Sequence, residues 1–140
     1  MDIAIRALSP AINDPTTAVQ ALDEIQDLLL RLGSRLLEIG AIRDSEGALR
    51  LVIPHPTWED FLRLAFDEIR FCGATSAQVM RRMKALVSAI SDALPEERRE
   101  PLRHHQRRLD STIGRSFADP EEQLEAPVED RQGLGIPSNH

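Results

Sequence analysis

Asp2-Ile3-Ala4-Ile5-Arg6-Ala7-Leu8-Ser9-Pro10-Ala11-Ile12-Asn13-Asp14-Pro15-Thr16-Thr17-Ala18 decides how this chain folds, because it sets a proline-broken polar loop between two apolar helical patterns. A residue preceding proline is pushed out of the helical region, so Ser9-Pro10 stops a first short helix. Asn13-Asp14-Pro15-Thr16-Thr17 then carries the marks of a helix start. Asp14 is placed to accept the amide of Thr16 or Thr17, and Pro15 falls at the first helical position, where a missing N–H costs nothing. Joining and capping two helices is the first reading of this loop. The second is a ligand or partner site. Asp2, Arg6, Ser9, Asn13, Asp14, Thr16 and Thr17 would converge if the short helix packs beside the start of the next, leaving a polar cluster at a helix N-terminus. Asp14 works against an anion there, since its own carboxylate would satisfy the amides, and pairing of Arg6 with Asp14 or Asp2 would make the cluster structural.

Downstream of the loop, Leu22, Ile25, Leu29, Leu32, Leu36 and Ile39 recur at spacings of three and four, which predicts a long helix from Pro15 to Ile39. Leu28, Leu30 and Leu37 widen its apolar seam, so it meets partners on more than one side, within the domain or across a subunit interface. Gly33-Ser34 is a place for a kink and Gly40 for the stop. Between Ala41 and Pro54 the period changes, and two short strands around a Gly47-containing turn fit best. Because an isolated hairpin is marginal in water, it must lie on the helices or pair with another copy.

Thr57 with Asp60 three residues on predicts a capped third helix, buried through Trp58, Phe61, Leu62, Ala65, Phe66, Ile69 and Cys72. Four of the five aromatic residues fall between Trp58 and Phe71, which centres the core there. Glu59, Arg63 and Asp67 lie opposite as a solvated face. After Gly73, a cap at Thr75 or Ser76 opens a helix with Val79, Met80, Met83, Leu86, Val87, Ile90 and Leu94 inward, both methionines serving as core filler. A last helix runs from about Pro95 or Pro101 to Phe117 with Leu102, Leu109, Ile113 and Phe117 inward. It is the most basic stretch, with six arginines between Glu96 and Arg115. A solvated face is the plain account, and contact of Arg103, Arg107 and Arg108 with anionic lipid headgroups, or capture of the acidic tail, are the alternatives.

The whole predicts a mainly α fold: a bundle of four to five helices over 2–117 with a small hairpin near 41–54, followed by a disordered acidic tail over 118–140. That tail holds six acidic residues against Arg131, so most of the net charge of −6 sits in it, and the body is too near neutral to attract nucleic acid. Hydrophobic residues at 41% and charged residues at 29% are ordinary for a soluble domain. No apolar run approaches the roughly 18 residues of a membrane span, and the start lacks the basic and apolar regions of a secretory signal. Cys72 stands alone, which rules out an internal disulfide and suits a reducing compartment. Adjacent His104 and His105 point about 100° apart on a helix and make a poor chelate. No metal, cofactor or catalytic residue is expected.

The stretch from Asp2 to Leu22, with weaker likeness through Leu51-Val52-Ile53-Pro54 and from Phe61 to Arg70, resembles the C-terminal soluble region of a bacterial family of predicted integral membrane proteins, domain of unknown function 2254. The resemblance implies transmembrane helices ahead of this region, a parent protein in the bacterial inner membrane, and a cytoplasmic place for the residues present. Ala11 stands where many relatives carry glycine, which argues against a required left-handed turn at that position. The resemblance carries no catalytic residue, substrate or cofactor. The function expected from it is a non-catalytic module acting in assembly, gating or sensing, with the transmembrane part of the parent or other copies of itself as partner. The alternative is a small-ligand-binding or hydrolytic site at the Ser9–Thr17 loop.

Overall fold

The computed structural model describes residues 1–37 and 40–117. Five helices and one hairpin follow in the order α1 (Asp2–Ala7), α2 (Pro15–Gly33), β1 (Ala41–Arg43), β2 (Leu49–Val52), α3 (Trp58–Cys72), α4 (Ala77–Ala93) and α5 (Glu96–Ser116). The mainly α reading with one hairpin therefore holds, while the predicted tail over 118–140 lies outside the described residues.

Each helix starts where its cap residues place it. Asp14 caps α2 with Pro15 in its first turn, Ser76 rather than Thr75 caps α4, and Thr57 and Asp60 form a reciprocal capping box at α3. The last helix takes the earlier of its two candidate starts, behind Pro95, and keeps Pro101 inside it. Proline there removes one intrahelical hydrogen bond without ending the helix.

α4 is the hub. Val79, Met80, Met83, Leu86, Val87 and Ile90 are buried along one face and Arg82 and Ala85 beside it, with α2 and α5 both packed against the helix. α3 packs on α5 and reaches α1 and α2, so the core runs from Leu22 and Leu29 through Leu62, Phe66 and Ile69 to Leu102 and Leu109. The aromatic residues contribute less than their clustering suggests, because Phe71 is 79% exposed. Cys72 is half-buried at the edge of the core.

One sequence expectation is corrected. The long second helix stops at Gly33 instead of continuing to Ile39, and Leu36 is 89% exposed instead of extending the seam. Gly33-Ser34 is the end of the helix and not a kink. A Cβ on Gly33 would stand 2.3 Å from Leu94 Cδ1, so Leu94 would have to shift for a larger residue there, and the weak helix preference of Gly and Ser favours the stop. Glu38 and Ile39 lie outside the described residues.

Of the two places expected for the hairpin, on the helices or against another copy, the structure does not have the first. Every residue from 41 to 54 except Asp44 is exposed, including Ile42, Leu49, Leu51, Val52 and Ile53. The strands pair antiparallel with Ala41 opposite Val52 and Ile42 opposite Leu51, and the register slips before Arg43 pairs with Leu49. Asp44 organises the turn by accepting the amides of Glu46 (3.0 Å) and Ala48 (2.9 Å) and the Arg50 guanidinium (2.7 Å). These bonds, that to Arg50 first, lower the Asp44 pKa. Gly47 supplies the positive φ of 84° that closes the turn.

Sequence reasoning gave no warning of the polar ties between helices. Arg82 is buried on α4 and donates to Asp23 (2.6 Å) and Gln26 (2.8 Å) of α2. Trp58 Nε1 donates to the Arg98 carbonyl at 3.0 Å, joining the starts of α3 and α5. Arg82 lies in the sequence as one of two adjacent arginines on a helix that also carries Gln78, Lys84 and Asp92. Only the burial of its whole neighbourhood identifies it as a strut.

Candidate functional site

In the loop from Ser9 to Thr17 the backbone satisfies itself. The Ser9 carbonyl accepts the amides of Ile12 (3.0 Å) and Asn13 (2.9 Å), and the Ala7 carbonyl accepts the amide of Asp14 at 2.7 Å. The left-handed residue of this turn is Asn13, with φ 46°, and not Ala11. Asparagine tolerates that conformation better than alanine does, so an alanine at position 11 is no obstacle to the turn.

Asp14 accepts from the Thr17 amide at 3.1 Å and from the Thr17 hydroxyl at 2.6 Å. The Thr17 hydroxyl, then its amide, hold the Asp14 pKa below the ordinary carboxylate value. Asp2, Arg6, Asn13 and Thr16 are exposed, Ser9 is half-buried, and none of their side chains makes a hydrogen bond or ion pair among the described residues. The structure thus joins Asp14 to Thr17 and gives the other five candidates no side-chain hydrogen bond or ion pair among the described residues. Thr17 also lines a shallow groove of about 620 Å³ beside Met1, Ile3, Ala21, Ile25 and Leu28.

Asp14→Ala is expected to lower the thermal midpoint by about 4 °C, while Asp14→Asn keeps most of the wild-type value, because asparagine caps nearly as well. Thermal unfolding followed by circular dichroism checks this. A midpoint unchanged in Asp14→Ala would show that the bond to Thr17 contributes nothing to the fold.

The arginines of α5 divide by what holds them. Arg103 is gripped by Glu96 and by Glu100 (3.0 Å), and Arg108 reaches across to Asp67 of α3 at 2.6 Å. Arg107 makes no side-chain hydrogen bond or ion pair among the described residues. His104 is exposed, whereas His105 is buried with its ring 5.2 Å from that of Phe66. The described residues contain no group of three or more His, Cys, Asp or Glu side chains placed to hold a metal ion.

The hairpin is the third exposed feature. It gathers five large apolar side chains and two strand edges in one exposed ribbon, whereas the exposed apolar residues of the helices, Ile3, Leu28, Leu64 and Phe71, are spread over three of them. Alternation along the strands signals it only weakly, since in β2 both faces carry apolar residues.

The family model described as predicted membrane protein (DUF2254) matches residues 1–89, which take in α1 to α3, the hairpin and most of α4. An uncharacterized protein of Mycobacterium tuberculosis (strain ATCC 25618 / H37Rv) and one of Mycobacterium bovis (strain ATCC BAA-935 / AF2122/97) are each 36% identical over 91 residues, covering 65% of this chain. The matched region spans 18% of the length of either relative. No solved structure matches the chain. Among the described residues, no helix is long and apolar enough to cross a membrane. With 89 residues matched, including the proline-broken loop and the hairpin, the chain belongs to the DUF2254 family of predicted membrane proteins.

Proposed function

We propose that this chain is a non-catalytic assembly module of a larger membrane protein, in which the hairpin of one copy pairs edge to edge with the hairpin of a second copy. The observation that carries the reading is the exposure of Ile42, Leu49, Leu51, Val52 and Ile53 on a two-stranded ribbon that the helices of its own chain leave uncovered. Such a ribbon is marginal alone, and its free edges are templates for pairing. Antiparallel pairing of two identical edges is self-complementary, so a two-fold dimer satisfies both copies at once and converts two hairpins into one four-stranded sheet. The apolar residues on both faces then gain neighbours on either side. The membrane setting rests on the family and on the small share of its relatives' length that the chain covers.

The full chain is expected to self-associate with rising concentration in multi-angle light scattering, and the double variant Leu51→Lys/Ile53→Lys to remain monomeric with an unchanged helical spectrum. Charged side chains on an exposed edge strand block pairing and cost the isolated fold little, since both positions are already solvated. A strict monomer at high concentration, or an oligomer that survives the double substitution, would overturn the reading. Docking of the hairpin on the membrane part of a parent protein would appear as the first of these outcomes.

A further inference from the structure

A cleft of about 360 Å³ lies between the end of α3 and one stripe of α5, lined by Arg70, His104, Arg107, Arg108, Ser111 and Arg115. Four guanidinium groups, an imidazole and a hydroxyl face it, and no carboxylate is among its lining residues. Positions 104, 107, 108, 111 and 115 recur at intervals of three and four, which gathers them on the side of α5 that meets α3.

The arginines stand close together without enough negative charge to balance them. Only Arg108 has a carboxylate partner, Asp67 at 2.6 Å. Arg115 Nη1 donates to the Ser111 hydroxyl at 3.1 Å, a neutral acceptor, and Arg107 has no partner among the described residues. Arg70 is held in place by donating from Nη1 to the Thr112 hydroxyl at 2.8 Å, and that hydroxyl is fixed by donating to the Arg108 carbonyl at 2.9 Å. Arg70 Nε is buried without an acceptor. Burial lowers the Arg70 pKa, and the nearby cations Arg108 and Arg115 press in the same direction against the pull of Asp67. Like charges held this near one another raise the energy of the empty cleft and favour an anion that bridges them.

We propose that this cleft binds a phosphate-class oxyanion, with Arg70, Arg107 and Arg115 as its cationic contacts and Ser111 as a hydroxyl donor. Planar guanidinium forks match the oxygens of a phosphate, and several converging forks suit a compact multiply charged anion better than a single carboxylate. The two sources of that chemistry are a free phosphate compound and the phosphodiester of an anionic lipid headgroup. Of the arginines whose sequence suggested lipid contact, Arg103 is occupied by Glu96 and Glu100, so the site moves one turn toward the C-terminus and gains Arg70 from the neighbouring helix. The proposal is independent of hairpin pairing and lies largely beyond the family match, which ends at residue 89.

The test is titration of the full chain with inorganic phosphate by isothermal calorimetry, and co-sedimentation with phosphatidylcholine vesicles with and without phosphatidylglycerol. The double variant Arg107→Gln/Arg115→Gln is expected to weaken binding by about tenfold or more, as the loss of charge-assisted hydrogen bonds implies. Both side chains are exposed, so its thermal midpoint in the absence of phosphate stays at the wild-type value. Arg103→Gln is the matched control and should leave binding unchanged.

Saturable binding of inorganic phosphate that displaces the chain from anionic vesicles supports a free anion. Vesicle binding without inorganic phosphate binding supports the lipid headgroup. Absence of both, or equal weakening by Arg103→Gln, overturns the site. Phosphate binding that emerges only when Glu121, Glu122 and Glu125 are changed to Gln would overturn it in favour of the chain's own acidic segment as occupant.

Discussion

Phe66→Ala is expected to cost the fold about 3–5 kcal/mol, whereas Phe71→Ala, five residues along the same helix, should shift stability by no more than about 0.5 kcal/mol. The contrast isolates burial from residue type. Phe66 is 1% exposed in the middle of α3 and packs its ring on the core side toward His105, while Phe71 is 79% exposed near the helix end. Truncation at 66 removes the transfer energy of a whole ring and leaves a cavity between α3 and α5, two elements that cannot close on it without disturbing the Trp58 and Arg70 bonds that join them. Truncation at 71 mainly relieves water of an apolar surface. Urea denaturation with a common slope for wild type and both variants would measure the two costs. Similar costs at both positions would show that the helix face has been assigned wrongly.

That face was legible in the sequence because it rests on periodicity. Trp58, Leu62, Ala65, Phe66 and Ile69 recur at helical spacing, and the same spacing places Met80, Met83, Leu86 and Ile90 inward on α4. Caps were equally visible, since Asp14, Thr57 and Ser76 each stand at the boundary between a turn signal and an apolar pattern. The length of α2 was not legible. Leucines continue beyond Gly33 at the right spacing, but Leu36 finds nothing to cover it, being 89% exposed. A pattern states which residues would share a face, not whether a neighbour is present to cover it.

The same limit explains the sites. In the Ser9–Thr17 loop, α1 does pack beside the start of α2 as the convergence requires, but Asp14 turns back on Thr17, and exposed Asp2 and Arg6 make no side-chain hydrogen bond or ion pair among the described residues. The cleft between α3 and α5 had the opposite fate. Its arginines were noticed as a basic stretch along one helix, but Arg70 is 37 or more positions away from the others and appeared as an ordinary end-of-helix residue. Sequence alone assigns Arg103, Arg107 and Arg108 equal standing, and only coordinates reveal which acids neutralise which cations.

Lowering the pH from 7 toward 4.5 is expected to destabilise the protein by up to about 2 kcal/mol through His105, most of it above the pH at which the carboxylates contribute. His105 is buried, and its Nδ1 has no hydrogen-bond partner. Desolvation pushes its pKa from 6.5 to about 4. Asp67 opposes the shift from 3.9 Å away on α3, while Arg108 and His104 on α5 and Arg70 on α3 reinforce it. The folded chain therefore keeps this imidazole neutral while the unfolded chain takes up a proton below pH 6.5, so stability is full above that value and drains away as the pH falls toward 4. Asp14, Asp44, Asp60 and Glu96, whose pKa values are lowered by their hydrogen bonds, add their own losses as the pH falls through the ordinary carboxylate values of 3.8 to 4.5 and below them. His105→Leu separates the two windows: urea midpoints measured from pH 7 to 4.5 should fall for wild type and stay nearly level for the variant. An equal fall in both would place the pH sensitivity elsewhere and show that the imidazole beside Phe66 protonates freely in the folded chain.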